Sequence, residues 1–469
     1  MPATLTTLNS VLKEFYGLGW VNELNNELHA LNLFEKMKVK WAGRLCHVPV
    51  KLARNTGVAF NSAGTLPASG QQGWGNFTVN AEKLYGRGSI DGDALEALEG
   101  GDAATFVTFM ESEVEGLKED MRDRANQVCI SGGTVIGFMF DQNRVSVGAD
   151  DWGFDGDFAK IQTLASVAAP LEFVLVRMSD KHTHPNPIAA GGGITAGNAT
   201  VGTVTLSAIL DTTNGAGGWN TALIAGDVYA VVITGPAAAL TSTALGSVAV
   251  NNEPNGIYTN LGAISPFGVS ALTNPTMRAQ HLTTVPDGAG AAPPAAAGNR
   301  VALDLDGHLQ GLKDLIFGGP GTPGAATAAG TLTAGTSNGN PGSGMSPDVW
   351  LTGVRQRSRY ISLCTGTVNA DFARRDKVKG VDGGFLDDEL GYGGAPIKVS
   401  RHIGSGHWMA LSTKTWVILE LGVMKLADRD GNILSRVSGS DQYEFFARWY
   451  YNLLCKQPAA NGIVVGLAV

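Results

Sequence analysis

Charge is scarce in this sequence: only 16% of its 469 residues are Asp, Glu, Lys or Arg. The 34 Lys and Arg are outnumbered by 42 Asp and Glu, which leaves a formal net charge of −8. Nucleic-acid affinity driven by bulk positive charge is therefore excluded. Paired cysteines are missing as well. Cys46, Cys129, Cys364 and Cys455 lie far apart with no C-x-x-C among them, so they read as free buried thiols rather than a zinc knuckle or a redox dithiol. The opening Met1-Pro2-Ala3-Thr4 has no basic stretch leading into an apolar one, so no secretory signal is expected. The most apolar run, Val228 to Asn252, contains Gly235, Pro236 and several Ser and Thr residues, too broken for a membrane span. What remains is a 44% apolar chain with 63 glycines, globular, rich in turns and strands, and long enough for two or three domains.

Two helical patterns occupy the first forty residues, Leu5, Leu8, Leu12 and Phe15, then Val21, Leu24, Leu28 and Leu31, with Gly17 and Gly19 between them. Two short helices cannot hide such stripes against each other alone, so this arm needs a surface on its own chain or on a neighbour. After Trp41 the period becomes two: Val48, Val50 and Leu52, then Phe77, Val79 and Ala81, predict a pair of strands. The intervening Asn55 to Asn76, with Ser69-Gly70-Gln71-Gln72-Gly73-Trp74-Gly75, cannot form a core, so a long hairpin with a Gly-rich tip is predicted. Trp74 and Phe77, exposed on it, need a covering partner. Gly101-Asp102 opens a long helix with Phe106, Met110, Val114, Leu117, Met121, Ala125 and Val128 on one side, stopped by Ser131-Gly132-Gly133. Glu111, Glu115, Lys118, Glu119, Arg122 and Asp123 form its solvated face.

From His184 to Met277 only Asp211, Asp227 and Glu253 are charged, and the β-branched runs from Thr203 and Val228 predict an inserted β-rich module. A helix from about Leu303 to Phe317 precedes a low-complexity loop, Gly318 to Gly344. Ser346-Pro347-Asp348 reads as an N-cap that opens a short helix carrying Arg355, Arg357 and Arg359. The last third predicts strands at Ile397 to His402, His407 to Leu411, Trp416 to Leu421, Gln442 to Leu453 and Gly462 to Ala468.

Chemical motifs are few. Gly335 to Gly339 spells G-x-S-x-G and Gly319 to Gly324 spells G-x-G-x-x-G, but both fall in the low-complexity loop, away from any strand-to-helix turn. Lys181-His182-Thr183-His184 lacks the further ligands a zinc site needs and reads as a polar loop. His402 and His407 flank Gly404-Ser405-Gly406, a hairpin turn. Asp428-Arg429-Asp430-Gly431-Asn432 has glycine in the wrong place for a calcium loop and reads as a hairpin turn, as does Asp304-Leu305-Asp306-Gly307. Asp150, Asp151, Asp155 and Asp157 read as solvated acids in a turn, with an acid/base pair or cation site as the alternative. No catalytic, cofactor-binding or metal-binding residue is assigned.

The order of these segments resembles the major capsid protein of tailed bacteriophages, the Hong Kong 97 fold that encapsulin shells share. The resemblance implies an α+β chain with an N-terminal arm (1–47), an extended E-loop hairpin (48–95), a P-domain with a long spine helix (96–184), the inserted module (185–260), an A-domain (261–395) and return strands of the P-domain (396–469). It implies a structural protein without enzymatic activity or cofactor, made in a bacterial host and placed in the virion. Its copies would form hexamers and pentamers of an icosahedral shell around double-stranded DNA, without sequence-specific DNA binding or a membrane, with scaffold, portal and decoration proteins as candidate further partners. Contact between subunits falls on Gln71, Gln72, Trp74, Phe77, Lys83, Tyr85 and Arg87. Gly86, Gly88, Gly92 and Gly101 are candidate hinges, ordinary turn glycines being the other reading. Lys83 matches no lysine, asparagine and glutamate set, so no isopeptide crosslink is implied. A tail-tube or decoration protein, an encapsulin-like shell protein and a hydrolase using the acids near Asp150 are the alternatives.

Overall fold

The computed structural model describes residues 29–39, 45–53, 68–91, 103–142, 149–157, 172–179, 188–189, 194–198, 203–207, 228–233, 253–283, 302–318, 342–367, 390–404, 406–426, 435–436 and 441–468, with single residues 55, 57, 58, 60, 66, 181 and 439. The two arm patterns up to residue 28, Gly92, Gly101, His182, His184, most of the low-complexity loop and the turn at Asp428 lie outside them.

The order of elements begins with a helical turn, His29–Asn32, and β1 (Glu35–Lys38). The hairpin β2 (Leu45–Ala53) and β3 (Gly73–Asn80) follows, then β4 (Glu82–Asp91) and the long helix Ala103–Ser131. Next come β5 (Val135–Gln142), β6 (Ala149–Gly156), β7 (Glu172–Arg177), β8 (Ile188–Ala189), β9 (Ile194–Asn198), β10 (Thr203–Ser207) and β11 (Val228–Ile233). A helix at Ile257–Gly262, β12 (Gln280–Thr283), a π-helical turn Leu305–Gln310 running into helix Gly311–Phe317, β13 (Val349–Thr352) and helix Val354–Thr367 continue the chain. The final strands are β14 (Gly391–Tyr392), β15 (Ala395–Val399), β16 (Trp408–Leu411), β17 (Trp416–Leu426), β18 (Ser435–Arg436), β19 (Gln442–Cys455) and β20 (Gly462–Val465).

Besides the two-stranded β2–β3 sheet, these strands build three larger sheets. The long helix, 29 residues and about 43 Å, lies on the five-stranded sheet β1-β17-β19-β18, in which β4 also pairs with β19. Met121, Ala125 and Cys129 of this helix share a core with Phe138, Phe140, Val228, Ile418 and Trp449. Phe34 stacks on Trp416 at 5.2 Å, and the Leu31 N–H donates to Asn126 Oδ1 at 3.2 Å, so the segment before β1 is anchored on the helix side. The six-stranded sheet β12-β20-β16-β13-β15-β14 packs Trp350 and Trp408 against Leu309, Leu312, Ile316 and Tyr360.

Several expectations change here. The seven-stranded sheet β8-β7-β11-β5-β6-β10-β9 crosses the boundary drawn at residue 185: Tyr229 of β11 lies between Met139 and Arg177. The β-rich segment completes a sheet begun by β5, β6 and β7, and so covers strand edges that would otherwise stay unpaired. Ser346-Pro347-Asp348 leads into β13, and the helix starts only at Val354. Burial of all four β13 residues outweighs the local capping signal, and Asp348 accepts instead from the Thr413 N–H and hydroxyl, both at 2.8 Å. His402 and His407 do not flank a hairpin, because β13 separates β15 from β16, parallel to one and antiparallel to the other. Asp304 immediately precedes the π-helical turn Leu305–Gln310 and caps it, its Oδ2 accepting from the Gly307 N–H at 3.0 Å. Asp155 is not solvated: it is buried on β6 and accepts from the Gly466 N–H at 2.8 Å. Lys181, expected in a polar loop, is buried, with Nζ donating to the Leu261 and Gly262 carbonyls at 2.7 and 3.0 Å. Among the described residues, no helix is long and apolar enough to cross a membrane.

Candidate self-association surface

Alternation gives the hairpin two unlike faces. In the β2–β3 register, Cys46 opposes Val79 and Val48 opposes Phe77 on one face, while His47 opposes Thr78, Pro49 opposes Asn76 and Lys51 opposes Trp74 on the other. At the base the apolar face closes on its own chain. Phe77 and Val79 are fully buried against Phe267, Val269, Met277, Val417, Leu419 and Leu454. This corrects the expectation for Phe77: it stands three residues from Trp74, an odd separation, and so must point to the opposite face of the strand.

Toward the tip that cover is lost. Val58, Phe60, Leu66 and Trp74 are 84%, 109%, 88% and 65% exposed, and Gln71 and Gln72 beside them are also exposed. The two arms of the tip approach closely, since a Cβ on Gly57 would come within 2.7 Å of the Gly70 nitrogen. Four large apolar side chains at the end of a two-stranded ribbon leave an exposed apolar patch among the described residues. Trp74 was legible as such a residue. Val58, Phe60 and Leu66 follow no period, and their sequence signal is only that they are apolar residues inside a Gly-rich loop.

Lys83, Tyr85 and Arg87 lie beyond the hairpin, on β4, which pairs along β19 from Glu82 opposite Tyr451 to Asp91 opposite Gln442. They occupy the face away from the long helix. There the Tyr85 and Tyr450 hydroxyls are 3.1 Å apart with their rings edge to face, Arg87 pairs with Glu444, and the Arg448 guanidinium lies 5.9 Å from the Tyr450 ring centre. Phe446 directly opposes Arg87, and Leu421 and Val423 of β17 are also exposed. Sequence reading missed these last three because their neighbours across the sheet are remote in the chain. The structure thus separates the contact candidates into a hairpin group, Gln71, Gln72 and Trp74, and a sheet-face group, Lys83, Tyr85 and Arg87.

Gly86 and Gly88 are on the opposite face of β4, inside the paired strand. A Cβ on Gly86 would lie 2.6 Å from Met121 Sδ and 2.9 Å from Leu117 Cδ1, and one on Gly88 would lie 2.3 Å from Phe445 Cζ. Glycine at these two positions lets the long helix and the Phe445 ring approach the strand, a packing reason where a hinge was expected.

Burial pushes the Cys129 and Cys455 thiols up to about 12, which keeps them neutral. Among the described residues, no group of three or more His, Cys, Asp or Glu is arranged to hold a metal ion.

No protein-family profile matches the chain, and no curated protein matches it by sequence. Solved structures do match. The Cyanophage A-1(L) capsid chain aligns over 99% of both chains with a TM-score of 0.53 at 10% identity. Looser alignments reach the capsid of Cyanophage P-SCSP1u, over 98% of this chain and 94% of that one with a TM-score of 0.44 at 9% identity. The SrpI encapsulin from Synechococcus elongatus PCC 7942 aligns over 100% and 96% with a TM-score of 0.43 at 6% identity. The chain shares the mixed α+β fold of the A-1(L) capsid chain.

Proposed function

We propose that this chain is a structural major capsid protein of the Hong Kong 97 type, whose copies assemble as hexamers and pentamers into an icosahedral shell around the double-stranded DNA of a tailed phage. The single observation that carries the reading is the uncovered apolar tip of the hairpin, on a chain that shares a phage capsid fold over 99% of its length. A closed shell needs self-complementary patches that repeat without running on as filaments. A ribbon laid on a neighbour supplies modest contact per copy, and simultaneous engagement around a ring multiplies it.

In this reading the hairpin is the E-loop and Ala103–Ser131 the spine helix; β4, expected within the E-loop, joins β17 and β19 in the P-domain sheet, and β16 and β20, expected among the P-domain return strands, join the six-stranded sheet of the A-domain. Gln71, Gln72 and Trp74 meet a neighbouring subunit through the hairpin, and Lys83, Tyr85 and Arg87 through the sheet face. Gly92 and Gly101 stay as candidate hinges between hairpin and helix. The test is negative-stain microscopy of the full chain after expression. Closed shells of uniform diameter are expected, and tubes, discrete trimers or a monodisperse monomer at high concentration would overturn the reading.

A further inference from the structure

We propose that the exposed face of helix Val354–Thr367 binds the phosphate backbone of duplex nucleic acid. This 14-residue helix carries Arg355, Arg357 and Arg359 and no acidic residue, in a chain whose acids outnumber its bases. The net charge of −8 hides the concentration: residues 354–379 hold seven basic and two acidic side chains.

Packing decides which side of the helix faces outward. Tyr360 is buried beside Trp408, with ring centres 5.8 Å apart, and its hydroxyl donates to the Gly391 carbonyl at 2.8 Å. Gln356, also buried, donates from Nε2 to the Ala468 carbonyl at 2.8 Å. Arg355, Ser358, Arg359 and Ser362 are left exposed at positions i, i+3, i+4 and i+7, a single stripe on a helix of 3.6 residues per turn. The two guanidinium groups start from backbone positions about 6 Å apart along the axis.

Three features select a phosphate backbone over an acidic protein. The stripe presents two arginines, side chains that commonly contact phosphate oxygens, and has no carboxylate to repel them; the Ser358 hydroxyl between them donates to the Val354 carbonyl at 3.2 Å. Among its described side chains it has no aromatic or aliphatic centre, the exposed large apolar residue there being Val354 at the end of the helix, whereas a protein interface usually has such a centre. The sheet face with Tyr85, Phe446 and Val423 does have one. Finally, Arg355 stands in the first turn of the helix, where a positive charge opposes the macrodipole, and the same turn contains no acid. A bound anion there would relieve an arrangement the helix alone disfavours. In an assembled shell the stripe would recur in every copy, so weak contacts would sum over a long duplex.

The test measures binding of a fluorescent duplex of about 20 base pairs to the full-length protein across a salt series. Wild type should bind at low salt. Arg355→Glu with Arg359→Glu should weaken binding about tenfold or more and reduce the salt slope by about 2, while the double lysine variant retains most of the affinity. Circular dichroism checks folding; if the double glutamate variant is unfolded, single Arg→Gln variants should each lower the slope by about 1. No binding by wild type at low salt, or unchanged binding by the glutamate variant, overturns the inference. So does loss of assembly with DNA binding intact, which would assign the stripe to a protein partner. Particle formation is scored in parallel, so this inference can fail while the shell reading stands.

Discussion

The six-stranded sheet and the hairpin use the same strand geometry to opposite ends. In β13, β16 and β20 every residue is buried, because both faces are covered from within the chain. In β2 exposure alternates at each residue, and the apolar side is covered only near the base, where Phe77 and Val79 meet Leu419 and Leu454. The sheet is complete within one copy. The hairpin is closed at its root, whereas Phe60 and Trp74 toward its far end are exposed. If the chain assembles as proposed, stability and assembly belong to different residues, and substitutions should separate them.

The largest effect on folding should come from the closed region. Trp408→Ala removes a fully buried indole and should cost about 3–5 kcal/mol, read from the denaturant midpoint. Gly88→Ala should cost about 1–3 kcal/mol, since the new methyl group would lie 2.3 Å from the Phe445 ring. A loss near zero would mean that β4 can move off β19, as the hinge reading requires. Alkaline pH should act on the buried thiols. Burial raises Cys129 and Cys455 from 9.0 to about 12, so their contribution is intact below pH 9.0 and declines as pH climbs toward 12. Near pH 10 the loss should be about 1 kcal/mol per thiol, visible as a lower urea midpoint that Cys129→Ala partly restores. The smallest effect should be Arg87→Ala, below about 1 kcal/mol, because Arg87 itself is mostly exposed in its pair with Glu444.

Local periodicity revealed much of this architecture. The strands around Val48 and Phe77, the long helix through Met121 and the return strands near Trp416 and Gly462 all follow from spacing, because each buries a face along its own length. The shared fold rests on their order. What spacing could not show was neighbourhood. Ser346-Pro347-Asp348 is a sound local cap, yet β13 is drawn between β15 and β16 by partners about fifty residues on, a long-range choice that overrides local preference. Lys181 gave no sign that the Leu261 and Gly262 carbonyls would receive it. The candidate surface was half legible: Trp74 stood out, but the opposite orientation of Phe77 was readable from an odd separation and was missed. Phe446 and Val423 join Tyr85 on the sheet face only through cross-strand pairing.

Sedimentation velocity of the full chain beside a variant with Val58, Phe60, Leu66 and Trp74 all changed to serine tests the central claim most directly. Wild type should sediment as large closed particles, and the variant as a small subunit with an unchanged circular dichroism spectrum and denaturant midpoint. Particles of equal size and robustness from the variant would contradict the account.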